Sequence, residues 1–445
     1  MSIWIISPGE EASIWNECRD ENYIAIGWDN ININNFLSKE EIKKELVNLY
    51  KEIKSNTKKH NFLWKFGKQI KKGDIVIARN GQSIIVGVGL ITSKYIAPND
   101  YINPRKNREY KQIREVNWLN TSEYTLKTGQ FARDTIVKTD LNDERVSKYI
   151  EGIIMQKEIQ EKIDLLTNRK QIILQGPPGT GKTRVAKQIA IRIIDSSLKI
   201  ETNDDIKNSF TKINKNQIKL IQFHPSYSYE DFVRGIVAKS NGTEIEYKTE
   251  NKVLAEMAKE AKTDLEENGE NANKYILIID EINRANLSSV LGELIYALEY
   301  RGEAVESMYE LEGSRKIILP SNLYIIGTMN TADRSIGHID YAIRRRFAFE
   351  SVLPDNSVVN DSSKFKIVES LFKNDKNERA DTLSLEFNPD DVMLGHSYFI
   401  ADNDEELKNK LKYQVIPLLI EYIKDGVLNE NAREKIEKLK FESDC

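Results

Sequence analysis

Residues 171–183 read QIILQGPPGTGKT: an apolar strand runs directly into Gly176-Pro177-Pro178-Gly179-Thr180-Gly181-Lys182-Thr183, and the amphipathic stretch RVAKQIAIRII follows. The string fits G-x-x-x-x-G-K-[ST] in full. With a strand before it and a helix after it, such a match is rarely anything but a nucleotide site. The glycines let backbone N–H groups turn inward around phosphates, and the helix N-terminus adds a favourable dipole. Lys182 can reach the β- and γ-phosphates, and the Thr183 hydroxyl can ligate Mg²⁺. A chain built around this unit needs a sheet to hold the loop, so the expectation is an α/β core.

The segments downstream support that core. IKLIQF (218–223), YILIID (275–280), LYIIGT (323–328) and FAFESV (347–352) are short apolar runs separated by longer amphipathic stretches. Such runs argue for a parallel sheet covered by helices on both faces. YILIIDEINRAN (275–286) ends in two carboxylates. Asp280, at the end of a strand expected beside the P-loop strand, is placed to hold Mg²⁺, and Glu281 to polarise the attacking water. Residues 240–274 are the most polar stretch and read as a surface excursion. After Pro354 the chain turns helical and polar, ending in the core-facing helix YQVIPLLIEYIKD (413–425).

Residues 1–140 have a different texture. WIIS (4–7), YIAIGW (23–28), DIVIAR (74–79) and SIIVGVGLI (83–91) are β-branched runs broken by Gly, Asn and Pro. Ser38 with Glu41 three residues on forms a capping box before Ile42, Leu46, Leu49, Tyr50 and Ile53 at helical spacing. Asn80-Gly81 marks a hairpin. A small curled sheet or barrel carrying one helix is expected. The expected divisions are 1–140 for this module, 141–168 for a helical linker, 169–354 for the nucleotide-binding core and 355–445 for a helical lid.

Composition narrows the partners. At 445 residues about three domains are expected, and a 40% hydrophobic content excludes a largely disordered chain. The net charge of −4 excludes a uniformly basic coat, but residues 1–150 carry +5 and the remainder −9. That asymmetry points to a polyanion partner at the N-terminal end, against the commoner reading of a solvated lysine-rich face. Cys18 and Cys445 are the only cysteines, and His60, His224, His338 and His396 lie far apart, which excludes a disulfide framework and a thiolate zinc site. The N-terminal residues lack the basic region of a signal peptide, and no apolar run approaches a membrane span. A soluble, cytoplasmic protein without a membrane partner is expected.

GPPGTGKT with DEINRAN resembles the AAA+ NTPases of the clade containing MoxR-like, dynein-related and McrB-type proteins. Residues 222–232, QFHPSYSYEDF, and 329–335, MNTADRS, are similar to signatures of the McrB type, the GTP-hydrolysing subunits of modification-dependent restriction endonucleases. The likeness spans roughly 150–430 and extends to IDYAIRRRFAF (339–349) and GHSYF (395–399). It implies that Asn330 orients water and the γ-phosphate and that Asp333 helps position the hydrolytic water. It implies that Arg345 and Arg346 project to a neighbouring subunit's nucleotide, with Arg284 a second interface candidate. It further implies a ring, a hexamer, with GTP (or ATP) and Mg²⁺, and a separate McrC-like nuclease subunit. The preference for GTP comes from the resemblance alone. Pro389-Asp390 with Glu406-Leu407-Lys408 formally fits PD…E-x-K, but its second half sits in a polar helix start, so the fit reads as chance.

The N-terminal module resembles EVE/PUA-like domains through IAIGWD (24–29), FLWKFGKQIKKGDIVIAR (62–79), VGVGLITSKY (86–95) and REVNWL (114–119). The likeness implies a flipped, modified base held in modified duplex DNA by an aromatic cage. Trp28, Trp64 and Trp118 are the candidates, weighed against the commoner role of tryptophan as core, since stacking contributes ~1–3 kcal/mol per base. Lys68, Lys71, Lys72 and Arg79 are the candidates for DNA phosphates. Two rival readings remain. One is a MoxR-like ATPase that remodels protein complexes. The other is a nucleic-acid reader that uses nucleotide only as an assembly switch.

Overall fold

The computed structural model describes residues 2–54, 57–100, 110–132, 134–140, 143, 145–198, 200, 202–213, 216–241, 244–333, 339–359 and 362–440. Arg334 and Ser335 at the end of MNTADRS, together with His338, Cys445 and residues 141, 142 and 144 of the expected linker, lie outside them. The chain divides into two compact units, Met1–Glu158 and Ile159–Cys445.

In the first unit seven strands form one sheet: β1 (Ile3–Ile6), β2 (Tyr23–Ile26), β3 (Ile75–Asn80), β4 (Ile84–Ile91), β5 (Gln112–Asn120), β6 (Tyr124–Thr125) and β7 (Ile136–Thr139). The path runs β2-β5-β4-β3-β1-β7, with β6 on β4. Its two ends do not meet, so the expected barrel is a half-barrel. Only β1 and β3 pair in parallel. The continuous IWII run of β1 has a simple cause: both faces are covered. Trp4 and Ile6 join Ile42, Leu46, Leu63 and Phe66 on one side, while Ile3 and Ile5 join Val146, Ile150 and Ile153 on the other. Helix α1 (Lys39–Leu49) starts where Ser38 Oγ accepts from the Glu41 N–H at 3.3 Å. The Glu41 carboxylate reaches back to the Leu37 N–H at 2.9 Å, one residue beyond the standard box.

The second unit begins within α2 (Ser147–Arg169) and holds a five-stranded sheet of β8 (Gln171–Gly176), β9 (Ile218–Gln222), β12 (Tyr275–Asp280), β15 (Leu323–Asn330) and β16 (Ala348–Ser351). Its order is β16-β8-β15-β12-β9, and every pairing is parallel. Alternate residues of the strands feed two cores. Ile172, Leu174, Ile276, Ile278 and Ile326 pack on α3 (Lys182–Ile194), and Ile173, Leu277, Ile279 and Ile325 pack on α4 (Val253–Asn268). The polar excursion folds as the hairpin β10 (Arg234–Asn241) and β11 (Glu244–Asn251), leading into α4. A second hairpin, β13 (Ala304–Leu311) and β14 (Ser314–Ile318), precedes β15. The C-terminal helices bury a core of their own around Phe365, Phe372, Phe399, Val415 and Leu419.

The sheet order departs from the expected strand neighbours. The carboxylate strand β12 is not the neighbour of the P-loop strand β8; β15 lies between them. The PD…E-x-K string is also not assembled. Asp390 and Glu406 fall in the helical segments Pro389–Val392 and Asp404–Lys410, and they pair with Lys373 and Lys410 at 2.7 and 2.8 Å.

Candidate nucleotide-binding site

The loop between β8 and α3 is held from within. Gly179 and Gly181 have φ of +80° and +78°, a left-handed conformation that favours glycine. The Thr180 hydroxyl donates to the Pro177 carbonyl at 3.1 Å, and Lys182 Nζ donates to the Gly176 and Pro177 carbonyls at 3.0 and 2.7 Å. Burial lowers the Lys182 pKa to about 8, although Glu281 and Asp280 pull it upward. A cavity of 260 Å³ opens beside the loop, lined by Gly179, Lys182, Thr183, Asp280, Glu281 and Asn330 among others.

The acidic side of the cavity is built from β12 and β15. The Thr183 hydroxyl donates to Asp280 Oδ1 at 2.7 Å. Thr328, two residues before Asn330 on β15, donates its hydroxyl to the same oxygen and accepts the Glu281 N–H at 3.2 Å. The intervening strand thereby ties the two carboxylate residues to the sheet. Sequence reasoning missed Thr328; its only signal is that it shares a β15 face with Asn330. Glu281 has φ +52°, a left-handed backbone rare for a non-glycine residue, and its carboxylate accepts from the Asn330 amide. Strain of this kind persists where the surroundings enforce it, commonly at functional sites. Asn283 donates to the Asn330 carbonyl at 3.3 Å and keeps its own buried Oδ1 without a hydrogen-bond partner.

The arginines separate. Arg284 lies 3.4 Å from Glu281 and 3.8 Å from Asp333, so it gathers both expected water-positioning carboxylates. Arg345 and Arg346 both pair with Glu299, at 3.1 and 2.9 Å, but their side chains are 65% and 9% exposed. Arg346 also donates to the Ala342 carbonyl of its own chain at 2.9 Å.

The lid reaches the loop through residues that sequence reasoning noted only as part of a string. Gly395 N–H donates to the Pro178 carbonyl and Ser397 N–H to the Gly179 carbonyl, each at 2.9 Å. A Cβ on Gly395 would stand 2.0 Å from the Gly179 carbonyl carbon, and one on Gly179 would meet the Tyr398 ring at 2.5 Å. The Thr331 hydroxyl adds a bond to the Asp391 carbonyl at 2.6 Å.

In the first unit the three candidate tryptophans pack half-buried against one core. Trp118 donates its indole N–H to the Cys18 carbonyl at 2.9 Å and meets Trp15 edge-on at 4.9 Å, the environment of a structural residue. Trp28 has φ +65°, a genuine outlier for an aromatic. Its carbonyl and that of Gly27 both accept from Gln112, whose own oxygen accepts from buried Tyr95, a pair that sequence reasoning missed. Lys59 stands 5.8 Å above the Trp28 ring. Lys71 and Lys72 are exposed and Lys68 is half-buried. Arg79 is corrected as a phosphate candidate: it is buried, and its guanidinium donates to the Gly81 and Asp134 carbonyls at 2.6 and 2.7 Å.

A parallel sheet covered on both faces, a complete P-loop, paired carboxylates at the end of a sheet strand and a helical lid bonded to the loop together define an AAA-type P-loop nucleotide-binding protein. Residues 171–347 match the AAA domain of the dynein-related subfamily, 377–432 the McrB alpha-helical lid domain, and 4–139 a domain of unknown function (DUF8426). The chain therefore carries a McrB-like AAA domain followed by a McrB-type lid. It is 35% identical over 296 residues to the Type IV methyl-directed restriction enzyme EcoKMcrB subunit of Escherichia coli (strain K12), covering 61% of this chain and 58% of that one. It is 31% identical over 184 residues to the Type II restriction enzyme BsuMI component YdiS of Bacillus subtilis (strain 168), covering 35% of this chain and 50% of that one. The chain thus spans about half the length of both relatives. A putative ATPase from Cytophaga hutchinsonii aligns over 60% of this chain and 63% of its own, with 14% identity and a TM-score of 0.28. Among the described residues, no helix is long and apolar enough to cross a membrane.

Proposed function

We propose that this protein is the DNA-reading, GTP-hydrolysing motor subunit of a modification-dependent restriction system, acting through a separate McrC-like nuclease subunit. The observation that carries the reading is the cluster Thr183–Asp280–Thr328–Glu281–Asn330 at the P-loop, in a chain whose AAA and lid regions are McrB-like. Both relatives are restriction components by name. The reading divides the chain into a reader (1–140), a helical linker (141–168), a nucleotide-binding core (169–354) and a lid (355–445).

The donor set at the loop suits Mg²⁺. A hydroxyl and a carboxylate point at one another, and among the described residues no cluster of three or more His, Cys, Asp or Glu residues competes as a metal site. Mg²⁺ uses few protein ligands and keeps water and phosphate oxygens for the rest. Thr183 and Asp280 would hold it, and it would neutralise charge developing on the phosphates. Lys182 neutralises the same charge from the loop. Glu281, fixed by Asn330 and Arg284, orients the attacking water, and Asp333 supports that position through Arg284. Arg345, exposed on the surface, supplies the trans cation in a ring, a hexamer. Trp28, Trp64, Lys68, Lys71 and Lys72 contact modified duplex DNA.

The test is turnover with GTP and ATP side by side, with and without duplexes differing in one modified base. GTP turnover stimulated by the modified duplex is expected. Strong ATP preference without any DNA response would overturn the reading in favour of a remodelling ATPase.

A further inference from the structure

His396 sits in the middle of the strap that joins the lid to the P-loop, and no part of the proposed mechanism uses it. Its neighbours on both sides are fixed: Gly395 N–H bonds Pro178 and Ser397 N–H bonds Gly179, each at 2.9 Å. Beyond them Tyr398 packs on Gly179, and Phe399 is buried in the lid core. The imidazole is therefore held by its backbone against the loop. Its two nitrogens have distinct roles. Nδ1 accepts the Asp355 N–H at 3.1 Å. An acceptor nitrogen carries no proton, so in the neutral ring the proton resides on Nε2. Burial lowers the His396 pKa and Arg184 adds to that, against an opposing pull from Asp355, which favours the neutral ring. Nε2 lies 3.7 Å from the point where a Cβ on Gly181 would stand, at the residue that opens α3.

A donor N–H therefore faces the N-terminus of α3 from the lid side. That terminus belongs to a complete P-loop, and Arg184, which lines the phosphate cavity, is near enough to act on the His396 charge. The backbone N–H groups of the loop, Lys182 and Arg184 suit an anion there, while Asp280 and Glu281 line the same cavity. We infer that His396 is a nucleotide-contacting residue: the lid strap delivers its Nε2–H to a phosphate oxygen of the nucleotide bound on the P-loop. The lid would then sense the bound nucleotide directly, and the close approach of Gly395 to Gly179 would be what lets the ring come near enough. This inference rests on the nucleotide-binding reading of the site.

Two substitutions separate the nitrogens. In His396→Asn the amide oxygen can replace Nδ1 as acceptor for Asp355, while nothing reaches the Nε2 position. In His396→Gln the longer amide can restore a donor at Nε2, while the Nδ1 acceptor is lost. The full-length chain would carry Glu281→Gln to suppress hydrolysis. Binding of fluorescently labelled GTP and ATP with Mg²⁺ would be titrated, and thermal unfolding recorded for each variant. The inference predicts that His396→Asn weakens the preferred nucleotide about 10- to 100-fold, the range for a lost hydrogen bond to a charged group. It predicts that His396→Gln stays within about threefold of the parent. Unchanged binding in His396→Asn, a larger loss in His396→Gln, or equal losses in both would overturn it and leave the ring as a buttress for Asp355. If the parent itself binds neither nucleotide, the nucleotide-binding reading falls and this inference falls with it.

Discussion

The side-chain amide of Asn330 donates to the Glu281 carboxylate across the gap between β15 and β12. The backbone of Glu281 is left-handed, with φ +52°, so the orientation of its carboxylate depends on that bond and on Arg284 at 3.4 Å. Removing the carboxylate charge with Glu281→Gln should lower NTP turnover by about 10²–10⁴-fold, the usual contribution of a positioned acid–base group, while labelled-nucleotide affinity stays within a few-fold. Asn330→Ala should lose less turnover and likewise retain binding. If either variant loses binding in step with turnover, the pair shapes the pocket and does not activate water.

Lys182 makes nucleotide affinity depend on pH. Its pKa in the free protein is lowered to about 8 by burial, and an adjacent polyphosphate raises it. The protonated form binds phosphate, so affinity is fully present below pH 8. It then falls by up to about tenfold per pH unit as pH rises above 8, until the pKa of the bound state is reached. Titrations of labelled nucleotide between pH 7 and 9.5 would show this slope. In Lys182→Met affinity should be severely reduced and the slope absent. A wild-type affinity that is flat to pH 9.5 would contradict the assignment.

The strands that position this site are legible in the sequence because parallel strands buried on both faces must be almost wholly apolar, as YILIID and LYIIGT are. Glu281 is legible because it follows such a strand, and Asn330 through the resemblance of MNTADRS to the McrB type. The order of those strands is not: nothing local places β15 between β8 and β12. The lid strap is hidden for the same reason, since the meeting of Gly395 with Gly179 is a property of chain tracing and not of composition. For Arg79 and Trp118 the residue type is visible but its surroundings are not. A cation at the end of an apolar run can face solvent or, as here, be buried and bond backbone carbonyls.

The candidate tryptophans should part company under substitution. Trp118→Ala removes the bond to Cys18 and the contact with Trp15. It should destabilise the first unit by about 2–3 kcal/mol, below the ~3–5 typical of fully buried aromatics, seen as a lowered unfolding midpoint. Trp28 is held in its outlying backbone by Gln112 and presents a half-buried ring under Lys59. Trp28→Ala should therefore change the midpoint little and weaken binding to a modified duplex by an amount set by the ~1–3 kcal/mol of a stacked base. Equal affinity of the two proteins for that duplex would remove Trp28 from the reader.

In the proposed ring Arg345 and Arg346 are the two candidates for a trans cation, and their environments differ. Arg346 is 9% exposed, paired with Glu299 and bonded to the Ala342 carbonyl, so withdrawing it would leave that carbonyl without this donor and Glu299 with Arg345 alone. Arg345 is 65% exposed and shares the same glutamate. Arg346→Ala should thus act mainly on stability, by about 1–3 kcal/mol. Arg345→Ala should leave the unfolding midpoint unchanged and remove the concentration-dependent part of turnover, which a trans arginine raises by ~10³–10⁵ in other NTPases. Mixing provides the sharper measurement. Arg345→Ala subunits retain Glu281, and Glu281→Gln subunits retain Arg345, so a mixed assembly contains some sites with both groups intact. Turnover should reappear when the two inactive proteins are combined, and its absence at concentrations where assembly is verified would mean that Arg345 serves only its own subunit.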